Sequence, residues 1–297
     1  MDFLTVAQVA ERWGLSERSV RSYCAQGRVP GAILAGRSWL IPADAEKPSR
    51  QPRSRSASDA PGLLDVLRRE KDARLSGGIY HYVQIELTYN SNHIEGSRLT
   101  HEQTRYIFET NTIGVNETVS VDDIVETVNH FQCVDHVIDT ACRTLTQNYL
   151  KGLHRMLKAG TTDSRKSWFA TGDYKRLPNE VGGQPTAEPK EVEPRIRALL
   201  EAYETGERKS FEDIVAFHVA LEKIHPFQDG NGRVGRLVMF KECLRNGVVP
   251  FIITDELKMF YYRGLHEWSR ERGYLLDTCL TAQDAFVEVH KRFGLGL

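Results

Sequence analysis

The strongest constraint on this chain is one run, His225-Pro226-Phe227-Gln228-Asp229-Gly230-Asn231-Gly232-Arg233-Val234-Gly235-Arg236. It gathers an imidazole, a carboxylate, glycines, amides and two guanidiniums at a density that packing alone does not call for. An apolar helical pattern runs up to it (Ile214, Val215, Phe217, Leu221) and another runs away from it (Val234, Leu237, Val238, Phe240). The run therefore reads as a tight loop opening into a helix N-terminus, where unpaired N–H groups and the helix dipole favour an anion. Gly230 and Gly232 let backbone approach a phosphate, and their amides with that of Asn231 form a nest for negative charge. Asp229 repels phosphate directly and makes sense with Mg²⁺ between them. Arg233 and Arg236, three apart on the following helix, share a face and suit one polyphosphate. His225 is spaced to take a proton from an attacking hydroxyl, and Phe227 anchors the loop in the core. Singly, each residue has an ordinary reading as a surface histidine, a turn or a solvated arginine. Together they point to a loop for a nucleotide triphosphate.

At 297 residues, 40% apolar and 27% charged, the chain has the length of about two domains and material for a real core. The cysteines at 24, 133, 142, 243 and 279 are odd in number and contain no C-x-x-C pair. That argues against a disulfide framework or a zinc site, and for reduced thiols in a cytoplasmic protein. No basic-then-apolar leader and no run of about 18 apolar residues occurs, so the expectation is a soluble protein with no membrane partner. The net charge of −1 hides an asymmetry: residues 1–56 carry nine Lys/Arg against five Asp/Glu, which is +4 and leaves −5 for the remainder. The basic end suits nucleic acid.

Thr5 and Gln8 form a capping-box signature ahead of an apolar face of Val6, Val9, Ala10 and Trp13, and Gly14 ends that helix. Ser16 caps a second helix over 17–26, with Gly27 as its stop. Val29-Pro30-Gly31 breaks the chain, and residues 32–34 and 38–41 read as two short strands about Gly36, a small wing carrying Arg37. This layout resembles the winged helix-turn-helix of the excisionase and MerR type over residues 1–45. The resemblance implies DNA as a partner, with Arg18 and Arg21 toward the major groove and Arg28 and Arg37 toward phosphates. The alternative is a small helical domain making protein contacts. Residues 46–61, rich in Pro, Ser and Arg, read as a linker. The remainder, 62–297, is mostly helical, with helices expected at about 62–74, 78–94, 101–110, 121–140, 146–157, 189–204, 211–223, 231–246, 255–270 and 281–292, and one hairpin at 177–186 around Gly182-Gly183. The fold class is mainly α: a helical domain with a small β-hairpin, preceded by a small winged helix-turn-helix domain.

The run at 225–236 resembles the Fic family signature, H-x-F-x-[DE]-G-N-G-R-x-x-R, at every defined position. The resemblance implies a helical protein that transfers AMP from ATP to a Ser, Thr or Tyr hydroxyl of a protein. It implies His225 as general base, Asp229 as the Mg²⁺ ligand, Gly230, Asn231 and Gly232 around the α- and β-phosphates, and Arg233 and Arg236 on the phosphates, Arg236 near the γ-phosphate. Asn179, Glu180, Val181, Gly182 and Gly183 resemble the family's flap, a hairpin that pairs with the target's backbone. Lys175 stands where many members have Arg. Ser91-Asn92-His93-Ile94-Glu95-Gly96 resembles the inhibitory motif [ST]-x-x-x-E-[GN], which implies Ser91 and Glu95 as inhibitory residues, with the Glu95 carboxylate set against Arg236.

The expectation is thus an autoinhibited protein adenylyltransferase using Mg-ATP, with DNA-linked regulation. One alternative is a deAMPylase in which Glu95 orients water. Another is transfer of a different group, such as UMP. A third, from another class, is a nucleotide-sensing transcription regulator. Gly230 and Gly232 argue against the branch of the family that transfers a terminal phosphate. Dimerisation regulates many members, which makes a homodimer one option.

Overall fold

Twelve α-helices and five short strands occupy the described residues of the computed structural model, which are 3–25, 27–35, 38–48, 62–114, 118–206 and 208–295. The mainly α expectation holds. The chain divides into two units, one of residues 1–58 with 259–281 and one of 59–258 with 282–297.

The first unit begins with β1 (Phe3–Thr5), α1 (Val6–Trp13), α2 (Glu17–Ala25), β2 (Ile33–Ala35) and β3 (Ser38–Pro42). The capping box forms as the sequence predicts: Gln8 N–H donates to Thr5 Oγ1 and Thr5 N–H to Gln8 Oε1 at 2.9 Å. Val6, Val9, Ala10 and Trp13 are the buried face of α1, and Gly14 ends it in the left-handed region at φ 63°. They pack with Val20, Cys24, Val29 and Ile41 into one small core. Two strands are expected here and three form. The sheet runs β1-β3-β2, antiparallel, with Leu4 opposite Ile41 and Leu34 opposite Trp39. Three residues are too few to display a strand period, and only pairing with β3, far along the chain, makes β1 a strand. Arg37, the side chain of Arg18, and residues 49–61 of the expected linker lie outside the described residues.

Asp277 joins this unit by accepting from Ser16 N–H at 3.1 Å and from Ser19 Oγ at 2.6 Å. It lies on α12 (Gly273–Arg292), which follows α11 (Lys258–Glu267). The sequence places the start of α12 near 281, and it starts eight residues earlier. Gly264 of α11 fits the packing of this added turn: a Cβ there would lie 2.7 Å from Leu275 Cα, so the glycine lets the first turn of α12 come against α11. The expected helix at 255–270 instead opens as a 3-10 turn, Asp255–Leu257, before α11.

The second unit contains α3 (Leu63–Asp72), α4 (Ile79–Ile94), α5 (His101–Thr110), α6 (Val121–Asp139), α7 (Gln147–Lys158), the hairpin β4 (Glu180–Val181) and β5 (Gln184–Pro185), α8 (Pro189–Glu204), α9 (Phe211–Ile224) and α10 (Asn231–Asn246). Its centre is α10, in which fourteen of sixteen residues are buried, with α4, α6, α7 and α9 packed around it. A helix buried on every side must pair its charges internally, since an unpaired buried charge costs several kcal/mol. It does so. Lys241, with no exposure, donates to Glu242 at 2.7 Å and to the Arg143 carbonyl at 2.6 Å. The same rule governs the two arginines at the other end of the helix.

Candidate active site

The loop between α9 and α10 is built by its own side chains. His225 closes α9 in the left-handed region at φ 52°, its amide donating to the Leu221 carbonyl at 2.9 Å. The Asn231 side chain then staples the turn: its Oδ1 accepts from Phe227 N–H and its Nδ2 donates to the Phe227 carbonyl, both at 2.8 Å. So the Asn231 amide side chain is committed inside the loop, and only its backbone N–H remains for a ligand. Phe227 is fully buried and stacks on His154 with ring centroids 4.2 Å apart, which is the anchoring expected of it. Gly230, at φ 80°, caps α10 without a side-chain hydrogen bond, so the first amides of α10 point out with no intrahelical acceptor. These are the groups of the expected phosphate nest.

Below the nest lie charges that the sequence does not reveal. Lys158 of α7, only 3% exposed, pairs with Asp229 at 2.7 Å and with Glu126 of α6. Arg233, 5% exposed, pairs with the same two carboxylates, reaching Asp229 at 3.1 Å. Two cations thus share two anions at the base of the loop, and Lys158 also reaches Asp163 at 3.5 Å. Burial alone raises the Asp229 carboxyl, but Arg233 and Lys158 outweigh it and hold it at about 2. Asp229 is therefore ionised throughout the neutral range. Both cations take its Oδ2, which leaves Oδ1 outside the ion pairs, and the side chain is 47% exposed. A carboxylate oxygen outside the ion pairs, beside an amide nest, suits Mg²⁺, which is held by one or two carboxylates together with substrate phosphates. Among the described residues no group of three or more His, Cys, Asp or Glu forms a metal cage. Asp229 fits as a single ligand completed by a polyphosphate.

Arg236, one turn further along α10, has a different set of partners. Its Nε donates to Ser91 Oγ at 3.0 Å, and one terminal nitrogen donates to the Ser91 carbonyl at 2.9 Å and to Glu95 Oε1 at 2.7 Å. The last turn of α4 and its C-cap, Glu95, supply all three acceptors. The segment 91–95 and Arg236 are thus in contact, across 141 residues of chain. The same Glu95 oxygen would lie 2.2 Å from a Cβ on Gly232, so the carboxylate reaches the N-terminus of α10 itself. Arg233 and Arg236 share a helix face, but each is held by its own carboxylates.

His225 is kept neutral. Burial lowers its pKa and the Lys175 ammonium lowers it further, to about 4, against the opposing Glu222 carbonyl, Glu95 and Asp229. Glu222 itself, one turn earlier on α9, is raised to about 8: burial lifts it, Arg236 pulls it back and Glu95 adds to the rise. Its carboxylate would meet a Cβ on Gly235 at 2.5 Å, so that glycine in the run is needed for close packing of α9 on α10.

The hairpin stands beside the loop. Leu177 N–H donates to Gln228 Oε1 at 3.3 Å, Asn179 Nδ2 to the Phe227 carbonyl at 3.0 Å and Lys175 N–H to the Pro226 carbonyl at 2.9 Å. Its tip, Gly182-Gly183, has φ values of 57° and 75°, as a tight two-residue turn requires. Asn179 is half-buried at the base, and Glu180, Val181, Gly182 and Gly183 are exposed. In the first unit Arg21 pairs with Glu17 on the exposed side of α2, and Arg28 lies over the Tyr23 ring at 4.6 Å.

Sequence reasoning missed Glu126, Lys158, His154 and Glu222, and saw Lys175 only as a departure from a pattern. Glu222 sits three residues before His225, and a carboxylate in that apolar stretch was a readable signal. The other three carry no local signal.

Both parts of the chain resemble known proteins. Residues 144–243 match the Fic/DOC family, and residues 3–45 match a helix-turn-helix domain. Curated relatives include the protein adenylyltransferase Fic of Nematostella vectensis, 26% identical over 189 residues (60% of this chain, 42% of the relative), and that of Culex quinquefasciatus, 27% identical over 227 residues (74% and 42%). The chain thus spans about two fifths of the length of these relatives. Among solved structures, a Fic-domain signalling protein of Bacteroides thetaiotaomicron superposes with a TM-score of 0.59 at 24% identity, covering 77% of this chain and 93% of that one. Fic-1 of C. elegans gives 0.59 at 19% identity, covering 77% and 72%. These likenesses speak to the fold. The chain carries a Fic/DOC-family domain behind an N-terminal helix-turn-helix domain.

Proposed function

We propose that this protein is an autoinhibited adenylyltransferase that moves AMP from Mg-ATP to a Ser, Thr or Tyr hydroxyl of a protein. The observation that carries the reading is α10, which presents amides without an intrahelical acceptor at its N-terminus and a guanidinium one turn in, with a neutral imidazole on its approach. Curated relatives of the Fic part bear the name adenylyltransferase, which supports the same reading. The acceptor hydroxyl loses its proton to His225, and its oxygen attacks the α-phosphorus. The bond from that phosphorus to the α–β bridging oxygen breaks, and pyrophosphate leaves. Amides of Gly230, Asn231 and Gly232 take charge from the phosphates, and Arg236 meets the γ-phosphate once Glu95 moves away. Asp229 would hold Mg²⁺, which when bound neutralises polyphosphate charge.

In this reading residues 62–297 form the transferase part, 46–61 the linker and 1–45 a DNA-binding part. The thiols are free, as suits a cytoplasmic setting, and no described helix is long and apolar enough to cross a membrane. Incubation with Mg²⁺ and ATP labelled at the α- or the γ-phosphate tests the reaction. Label from the α-position on protein, abolished by His225→Ala, is the expected result. Label from the γ-position only, or none on the chain or on any lysate protein, removes the proposal in favour of another group or of a nucleotide sensor.

A further inference from the structure

Lys175 occupies an unusual place. It is 3% exposed, and among the described residues no carboxylate lies within ion-pair distance of it. Its ammonium donates instead to two neutral groups, Asn179 Oδ1 and Thr186 Oγ1, each at 2.6 Å. Asn179 precedes β4 and Thr186 follows β5, so one cation grips both ends of the hairpin. Thr186 Oγ1 also donates to the Asn179 carbonyl at 3.0 Å, and Thr186 N–H reaches that carbonyl at 3.3 Å, which closes the base of the hairpin. The backbone of the same lysine is fixed to the signature loop through the Pro226 carbonyl at 2.9 Å. A buried ammonium without a carboxylate is expensive, and an apolar side chain of equal length would fill the space more cheaply. Burial accordingly pushes Lys175 down to about 8, with Glu188 opposing. The charge is retained at neutral pH beside His225, where it opposes protonation of the imidazole.

We propose that Lys175 is a positioning residue for the transfer: it clamps both ends of the β4–β5 hairpin to the loop that carries His225, so that a target backbone pairing with the hairpin is presented to that histidine. The inference rests on the transfer reading above and adds what sets the hairpin in place. Three groups besides the clamp act on His225: the Glu222 carbonyl, Glu95 and Asp229 favour its protonated form, whereas Lys175 disfavours it. Removing the lysine charge therefore moves His225 upward, a consequence that a purely space-filling residue would not have.

The test compares Lys175→Met, Lys175→Arg and Thr186→Val in the full-length chain. Hydrogen exchange of amides in the hairpin is read against amides of α10, and His225 is titrated by NMR. Loss of a hydrogen bond from a buried charge is expected to speed hairpin exchange by about tenfold or more while α10 stays protected. Lys175→Met should also raise the His225 titration toward the free value, and Lys175→Arg should restore it. Thr186→Val, which removes one acceptor and keeps the shape, should loosen the hairpin and leave His225 in place. With a His225→Ala copy of the chain as acceptor, Lys175→Met in a Glu95→Gly background should raise KM for the copy and leave KM for ATP unchanged. Hairpin exchange at the parent rate in both Lys175→Met and Thr186→Val overturns the clamp, and so does a His225 titration that ignores Lys175→Met. If no transfer occurs in any variant, the transferase reading fails, while exchange and titration still decide the clamp.

Discussion

Removal of the Glu95 carboxylate should switch the protein on, and the structure sets the scale. Arg236 is 3% exposed and Glu95 28%, and their contact is 2.7 Å. A hydrogen bond between charged groups in such surroundings contributes about 1.5–3 kcal/mol. At 1.4 kcal/mol per factor of ten, a γ-phosphate competing for Arg236 is handicapped by about 10–150-fold. Glu95→Gly should recover that factor in productive ATP binding and in self-labelling from α-labelled ATP. Arg236 should stay in place, since its bonds to Ser91 Oγ and to the Ser91 carbonyl do not depend on Glu95. Glu95→Gln, which keeps the length and loses the charge, should fall between. Gly232→Ala supplies a control. Its methyl would lie 2.2 Å from Glu95 Oε1 and 2.9 Å from an Arg236 terminal nitrogen, so it should dislodge the carboxylate and yet obstruct the nest. The expectation is no activation. Measurement is by labelling rate together with calorimetric titration of a non-hydrolysable ATP analogue and Mg²⁺. Glu95→Gly that labels no faster than the parent and binds nucleotide no more tightly would refute the competition argument.

Other expectations follow from the same site. His130, His154 and His218 sit at about 3, lowered mainly by burial, and His225 at about 4. Their folded pKa values lie below the unfolded 6.5, so the unfolded chain binds more protons and stability falls as pH drops from 6.5 through 4 to 3, by about 1.4 kcal/mol per pH unit for each fully buried histidine. Glu222, raised to about 8 from 4.5, works in the opposite sense and loses stability as pH rises from 4.5 to 8. Thermal scans should therefore peak near pH 6.5, and a flat profile down to pH 4.5 would contradict the buried neutral histidines. Lys158→Met leaves Glu126 and Asp229 with Arg233 alone, and should destabilise by about 3 kcal/mol, read as a lower urea midpoint. An unchanged midpoint would dismiss this ion-pair network. Arg21→Ala and Arg28→Ala should weaken DNA retention in gel shifts and flatten its salt dependence, and binding that ignores both would remove α2 from the DNA contact.

The sequence by itself determined the elements whose causes are local. The Thr5/Gln8 box, the stop at Gly14, the hairpin turn at Gly182-Gly183 and nine helix positions from α2 to α10 follow from caps, turn residues and apolar period, and they lie where those signals place them. The signature run was legible for the same reason: its base, nest and arginines are all within one turn-and-helix, so spacing along the chain is close to spacing in space. Only the tertiary structure decided what depends on distant partners. The strand β1 exists because β3 pairs with it, and the early first turn of α12 packs closely on α11 where Gly264 admits Leu275. Lys158 and Glu126 look like ordinary surface charges on amphipathic helices until α6 and α7 bring them under Asp229. Lys175 departs from a pattern on paper and becomes a buried clamp once the hairpin folds back on the loop. Burial and electrostatic pairing are properties of three-dimensional neighbours. A sequence names the residues able to carry charge, and the fold fixes which of those charges are desolvated, what they oppose and therefore what they do.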